Sequence, residues 1–470
     1  MRSSIEPSTL GRWAARSAAF LVPLIASVTA FAQEAAEAAP PTADSGDTAW
    51  VLTATALVLM MTLPGLALFY GGLVRSKNVL NVFMQCFIAA GAVGVLWVLV
   101  GYSIAFSGSE DAAFFGNLAK AGLAGVTIDS LTGTIPEYIF VMFQGMFAVI
   151  TPALILGAVV ERMKFSSFLL FISVWLLVVY CPLAYMVWGG GWIFDSGAID
   201  FAGGLVVHMS SGFSALAAAI VLGKRKGYGK EPMPPHSLPL CLIGAGLLWT
   251  GWFGFNAGSA LGASPLAALA FLNTSTAAST AVLSWAIIEW IHRGKPTALG
   301  AATAAVAGLV AITPACGAVS PMGAIMVGLG VAIVCYVALT FLKPLAGYDD
   351  SLDAFGVHGL GGAWGALASG IFAVTLGSGI ESNGQQIMVQ IKGILFTAIY
   401  APAATFVILY AIKMVMGLRV TDEDEYEGLD VSQHSESAYS MSTGSSMGGV
   451  SGSHAMSAEG YATSTQARHA

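Results

Sequence analysis

The chain alternates long apolar runs with short polar connectors. A helix needs about 20 apolar residues to cross the hydrocarbon layer of a bilayer. Runs of that order recur eleven times, at 49–70, 80–106, 136–159, 166–188, 200–222, 237–258, 265–291, 298–313, 319–342, 354–375 and 387–416. The eighth is short. The pattern predicts an all-α integral membrane protein with eleven transmembrane helices.

The connectors give the orientation. Numbered from an outer N-terminus, one set of loops holds Arg75, Lys77, Arg162, Lys164, Lys224, Arg225, Lys226, Lys230, Arg293, Lys295 and Lys343. The opposite set holds only Lys120 and Lys392. Basic residues accumulate on the cytoplasmic side, so the mature N-terminus is expected outside and the C-terminus in the cytoplasm.

Composition agrees with a membrane chain. Of 470 residues 56% are hydrophobic and 10% charged, against about a quarter charged in soluble domains. The first 32 residues carry Arg2, Arg12 and Arg16, an apolar run and Ala30-Phe31-Ala32, the layout of a cleaved signal peptide. Residues 33–48 then form a periplasmic segment, 49–416 the transmembrane domain, and 417–470 a cytoplasmic tail. Beyond about 441 the tail is rich in Ser, Gly and Met and is expected to be disordered. The net charge of -7 comes largely from this tail and argues against a nucleic-acid partner. Five cysteines lie in or beside apolar runs without metal-ligand spacing, so they read as packing residues.

Two short echoes link spans five apart. ITPA occurs at 150–153 and 312–315, and V-H-x-x-x-G at 207–212 and 357–362. Because five is odd, the two halves would have opposite topology, a 5+5 inverted repeat plus one C-terminal helix, with the site between the halves. Glycine is abundant inside the spans, which lets helices approach closely.

His208 and His358 stand inside apolar runs where ionisable groups are rare and face a cavity or a partner. One such imidazole is as well explained by a backbone hydrogen bond; two in matched spans point to function. Counting at 1.5 Å per residue, His208 lies about 12 Å below the outer end of its span and His358 about 6 Å above the inner end. That leaves roughly 12 Å between them in a core about 30 Å thick. Trp188 and Ser259 end spans four and six on the outer side, with Phe255 one turn below Ser259 and Phe147 midway down span three. Each has a plainer role as belt, packing or backbone-bonded residue. Asp200 stands where an N-cap carboxylate would, and Asp353 stands likewise ahead of span ten. An aromatic and hydroxyl mouth above imidazoles suits a small cation that can lose its proton. Aromatic faces attract the cation by roughly 0.5–2 kcal/mol, carrying full charge inward is expensive, and imidazole relays protons near neutral pH. No HExxH, paired catalytic carboxylates or nucleotide loop appears, which leaves an enzyme without a basis.

The stretches DFAGGLVVHMSSGFSALAAAIVLGKRKGYG, WFGFNAGSALGA, ITPACG, DAFGVHGLGGAWGALASGIFA, FYGGLVRSKNVLN and FQGMFAVITPALILGAVVERMKFS resemble the ammonium transporter family (Amt/Mep/Rh), over about 49–440. The presence of the Trp and Ser favours the Amt branch. The resemblance implies a homotrimer with a pore through each protomer and no cofactor, catalytic residue or metal. It implies that Phe143, Phe147, Trp188 and Ser259 form an outer ammonium site supported by Asp200. Phe147 and Phe255 would form the gate and His208 and His358 a hydrogen-bonded pair, with Tyr70 and Trp252 also at the pore. Ammonium or ammonia, methylammonium as analogue, the lipid bilayer and a PII-type signalling protein are the implied partners. The expected function is recruitment of NH4+, its deprotonation and conduction of NH3 with net proton movement. The alternatives are an ammonium sensor with little transport and a passive pore for neutral gas. The extension after 441 departs from the family's usual ending.

Overall fold

The computed structural model describes residues 42–109 and 111–439. The expected signal peptide, most of the segment 33–48 and the tail beyond 439 lie outside the described residues. Within them the protein is helical, apart from a two-stranded hairpin, β1 (Leu131–Thr132) and β2 (Ile135–Pro136).

Nine helices are long and apolar enough to cross a membrane among the described residues. They are α1 (Ser45–Leu73), α2 (Ser76–Phe106), α3 (Glu137–Val159), α4 (Phe165–Asp195), α5 (Gly204–Leu222), α6 (Leu238–Gly258), α7 (Pro265–Arg293), α9 (Pro321–Ala346) and α11 (Asn383–Met416). Two shorter helical segments fall where spans eight and ten are expected. These are α8 (Ala298–Ile312) and α10, a π-helical turn Phe355–Leu360 running into Gly361–Phe372. All eleven apolar runs therefore became helical. Boundaries follow local chemistry: Asp44, Ser237, Ser264, Thr297, Ser320 and Ser382 each accept a backbone N–H at a helix start.

The loops sort onto two faces as the charge pattern requires. The ends carrying Arg75, Arg162 and Arg225 meet one another and the tail. Glu161 accepts from Arg75 and Arg225, and Arg225 pairs with Asp349 at 2.9 Å. The other loop set joins separately, with Asp44 N–H donating to the Thr134 carbonyl, Ala263 N–H to Asp47, and Trp192 N–H to the Ala113 carbonyl. The tail is ordered through its acidic part, where α12 (Asp422–Glu427) and α13 (Leu429–His434) fold back onto the first face.

Helices α5 and α10 cross where glycine meets glycine. A Cβ added at Gly212 would lie 2.1 Å from the Gly359 nitrogen, and one at Gly362 would lie 3.1 Å from His208 Cβ. Any side chain at Gly212 would force the two backbones apart. All five cysteines are buried and free, as their apolar surroundings require.

Candidate functional site

Both histidines sit one turn inside helices that begin deep in the protein. Helix α5 begins at Gly204 after a buried stretch in which Gly203 adopts φ 113°, a left-handed conformation glycine takes without strain. The Asp200 carboxylate accepts N–H groups from Gly203, Gly204, Leu205 and Val206. This one side chain satisfies the four donors that a helix start leaves free.

Helix α10 repeats the device with a different residue from the one the sequence suggested. Asp350 is fully buried and accepts from Ala354 (3.1 Å) and Phe355 (2.8 Å). Asp353 has φ 63°, offers its backbone carbonyl to Val357 N–H, and turns its carboxylate to Lys343 at 2.5 Å. The expectation of an Asp353 side-chain cap is therefore corrected. Asp200 and His208 are separated by the same eight positions as Asp350 and His358, so each π-helical turn carries its histidine at a fixed distance from its capping carboxylate.

The roughly 12 Å gap inferred from span lengths is also corrected. His208 Nδ1 and His358 Nδ1 are 3.3 Å apart and their rings are stacked at 5.3 Å and 25°. Counting from the run ends failed because residues 200–203 and 349–353 enter the protein as non-helical chain. Such backbone is tolerated at depth only where protein satisfies it, and the two aspartates supply much of that satisfaction.

Three cavities lie along the path through this pair. The outer one, about 470 Å³, is lined by Phe147, Trp188, Ser259 and Phe201, with Tyr102, Phe106, Lys120 and Gln144 around them. Trp188 Nε1–H donates to the Asp200 carbonyl at 2.8 Å and Ser259 donates to the Phe255 carbonyl at 2.8 Å. The Ser259 lone pairs and the Trp188 ring face remain for a guest. Gln144 Oε1 is buried with no hydrogen bond from any described residue, an acceptor that the sequence reading missed inside FQGMF. Phe143 is fully buried and packs edge-on behind Phe147, with centroids 5.0 Å apart; it is absent from the outer cavity's lining.

Phe147 and Phe255 stack at 4.1 Å and 27°. Phe147 lines the outer cavity and Phe255 the next, so the ring pair divides them. The middle cavity holds only about 10 Å³, bounded by Phe255, Trp252, His208, His358, Tyr70 and apolar side chains. That is space for about one water-sized molecule. The third cavity, about 180 Å³, opens toward the basic face and is lined by His358, Tyr70, Ser351, Asp353 and Thr303 among others. Tyr70 OH donates to the Leu154 carbonyl.

Thr313, another residue not singled out from sequence, fixes the histidine protons. Its hydroxyl donates to the Leu309 carbonyl at 2.8 Å, so its lone pairs must accept from Trp252 Nε1–H (2.8 Å) and His208 Nε2 (3.3 Å). Assigned from this network, His208 carries its proton on Nε2 and accepts at Nδ1, which makes His358 Nδ1 the donor of the pair. His358 Nε2 is then left unprotonated. The legible signal was the ITPA repeat: Thr151 makes the matching bond back to the Phe147 carbonyl.

On the basic face burial pushes the Glu161 carboxyl up, but Arg225 and Arg75 outweigh it and hold it below its ordinary value. Asp349 behaves alike, burial opposing and the Arg225 hydrogen bonds prevailing. The tail locks onto this network. Glu425 pairs with Arg419 (2.5 Å) and accepts Lys226 N–H, Asp430 accepts Asn81 N–H at the start of α2, and Leu429 N–H donates to Asn78. No group of three or more metal-ligating side chains occurs among the described residues.

A family model described as Ammonium Transporter Family matches residues 49–439. The ammonium transporter of Aquifex aeolicus is 48% identical over 406 residues, covering 85% of this chain and 94% of that one. The ammonium transporter of Bacillus subtilis is 48% identical over 402 residues, covering 84% and 98%. Among solved structures, Candida albicans Mep2 aligns with a TM-score of 0.75 at 36% identity, over 81% of this chain and 88% of that one. A protein described as a sensor Amt protein aligns with a TM-score of 0.78 at 31% identity, over 83% and 98%.

Proposed function

The chain belongs to the ammonium transporter family, and from that premise we propose that it moves ammonium inward across a bacterial inner membrane by shedding a proton on the way. In this reading NH4+ enters the outer cavity. The aromatic faces of Trp188 and Phe147 and the Ser259 hydroxyl replace part of its water shell, while Phe143 backs Phe147 and Asp200 holds Trp188 in place. A cation gains roughly 0.5–2 kcal/mol from such faces but meets only apolar walls beyond them. Deprotonation at the Phe147–Phe255 pair removes the charge penalty. NH3 then passes the middle cavity beside Trp252 and Tyr70.

The observation that carries the reading is the histidine pair standing between the middle and inner cavities with a directed hydrogen bond. His358, whose Nε2 the Thr313 network leaves unprotonated, lines both of those cavities. The proton follows a separate or histidine-assisted route, so net transport carries charge. Eleven crossings in a 5+5 inverted repeat plus α11 agree with the paired Asp-to-His spacing. The homotrimer, the periplasmic N-terminus and a PII-type partner on the docked tail complete the proposal.

The test is a concentration step of ammonium applied to liposomes containing the protein. An inward current supports the reading; uptake without charge movement contradicts its electrogenic part, and no uptake contradicts transport. A second reading, a sensor with little transport, has one specific support: a solved neighbour bears that description. Deleting 421–470 separates the two, since a transporter retains uptake while a sensor loses its signal.

A further inference from the structure

One wall of the outer cavity holds a charge that a cation-recruiting mouth has no evident use for. Lys120 lines the same cavity as Trp188, Ser259 and Gln144. Its Nζ lies 2.5 Å from Glu137 Oε1 and 5.7 Å from the Tyr102 ring centroid, and Tyr102 OH donates to the same Oε1 at 2.7 Å. The Glu137 side chain is 8% exposed and that of Lys120 35%. A carboxylate, a phenol and an aromatic face thus surround a primary ammonium that belongs to the chain itself.

The loop is built to deliver that ammonium. Lys120 N–H donates to Ser103 Oγ, and the Ser103 hydroxyl reaches the Asn117 carbonyl at 2.8 Å. The positive φ of Gly122 and Gly125 then turns the chain back toward the hairpin that precedes Glu137. Glu137 opens α3, where the helix dipole also favours its negative charge.

We propose that Lys120 is a tethered counter-cation that sets the ammonium affinity of the outer cavity. By engaging Glu137 it keeps that carboxylate from drawing free cations into the mouth. A low-dielectric cleft focuses the field of an uncompensated charge and raises or lowers the local concentration of a mobile cation accordingly. Removing Lys120 leaves Glu137 negative and strengthens cation recruitment; removing Glu137 leaves Lys120 positive and weakens it. This inference rests on the proposed transport reading.

The experiment measures the half-saturating methylammonium concentration for uptake into liposomes at low ionic strength, with the full chain. Lys120→Gln is expected to lower it by about threefold or more and Glu137→Gln to raise it by about threefold or more. The double variant is expected to return close to the parent and Lys120→Arg to match it. Raising the salt concentration shrinks both single-variant shifts. An unchanged or raised value for Lys120→Gln overturns the proposal, as does a shift of both single variants in the same direction, which marks a structural role. If Glu137→Gln fails to fold, the contrast of Lys120→Gln with Lys120→Arg at two salt concentrations decides alone. Absence of uptake by the parent protein would instead overturn the transport reading, so the two failures are distinct.

Discussion

The starts of α5 and α10 use one device in two settings. Each has a buried aspartate, a π-helical turn and a histidine eight positions on. At α5 the carboxylate takes all four free N–H groups and its backbone carbonyl holds Trp188 of the outer cavity. At α10 Asp350 takes two, while its neighbour Asp349 joins the arginine network under the tail. The α5 start is thus tied to the cavity lined by Trp188 and the α10 start to the loops on which the tail rests. One capping geometry therefore stands beside an aromatic cavity at α5 and beside an arginine network at α10.

Breaking the caps exposes the asymmetry with the largest expected effect. Asp200→Ala leaves four buried N–H groups unsatisfied, each costing about 1–3 kcal/mol, so loss of the folded protein or of most of its uptake is expected. Asp350→Ala orphans two and should cost about half as much, read from thermal unfolding in detergent. Equal losses would erase the distinction between the two starts.

Forcing the two helices apart comes next. Gly212→Val places side-chain atoms in the Gly359 backbone, and overpacking of this kind costs about 1–3 kcal/mol. Thermal stability and uptake should fall together; a variant that matches the parent in both would contradict a close backbone approach at Gly212 and Gly359.

The smallest effect concerns pH at the tail-facing network. Glu161 and Asp349 titrate below their ordinary values in the folded protein. Their stabilisation is therefore fully present above the ordinary carboxylate values, 4.5 for Glu161 and 3.8 for Asp349, and is lost as pH falls below them. A loss of stability is expected on acidification, seen as a falling melting temperature. Glu161→Gln should flatten that acid limb, and an unchanged limb would remove Glu161 from the account.

Much of this was legible in the chain. Run length located the helices α1 to α11, and the V-H-x-x-x-G echo marked the histidine helices. What failed was depth, because a count along apolar residues cannot see that 200–203 and 349–353 run inward as capped, non-helical chain. The same blindness assigned the α10 cap to Asp353 rather than Asp350, although the repeated Asp-to-His spacing was there to read. The repeated ITPA marked Thr313 but not its partners Trp252 and His208, and the Lys120–Glu137 pair joins a loop to a helix start that no local pattern links.

The central claim is that the stacked imidazoles take part in moving ammonium and its proton. It is tested most directly by methylammonium uptake and charge movement in liposomes containing the parent protein or His208→Ala. A folded variant is expected whose uptake falls by about tenfold or more, or whose charge carried per substrate changes. Unchanged rate, charge and selectivity would reduce His208 to a packing residue and contradict the account.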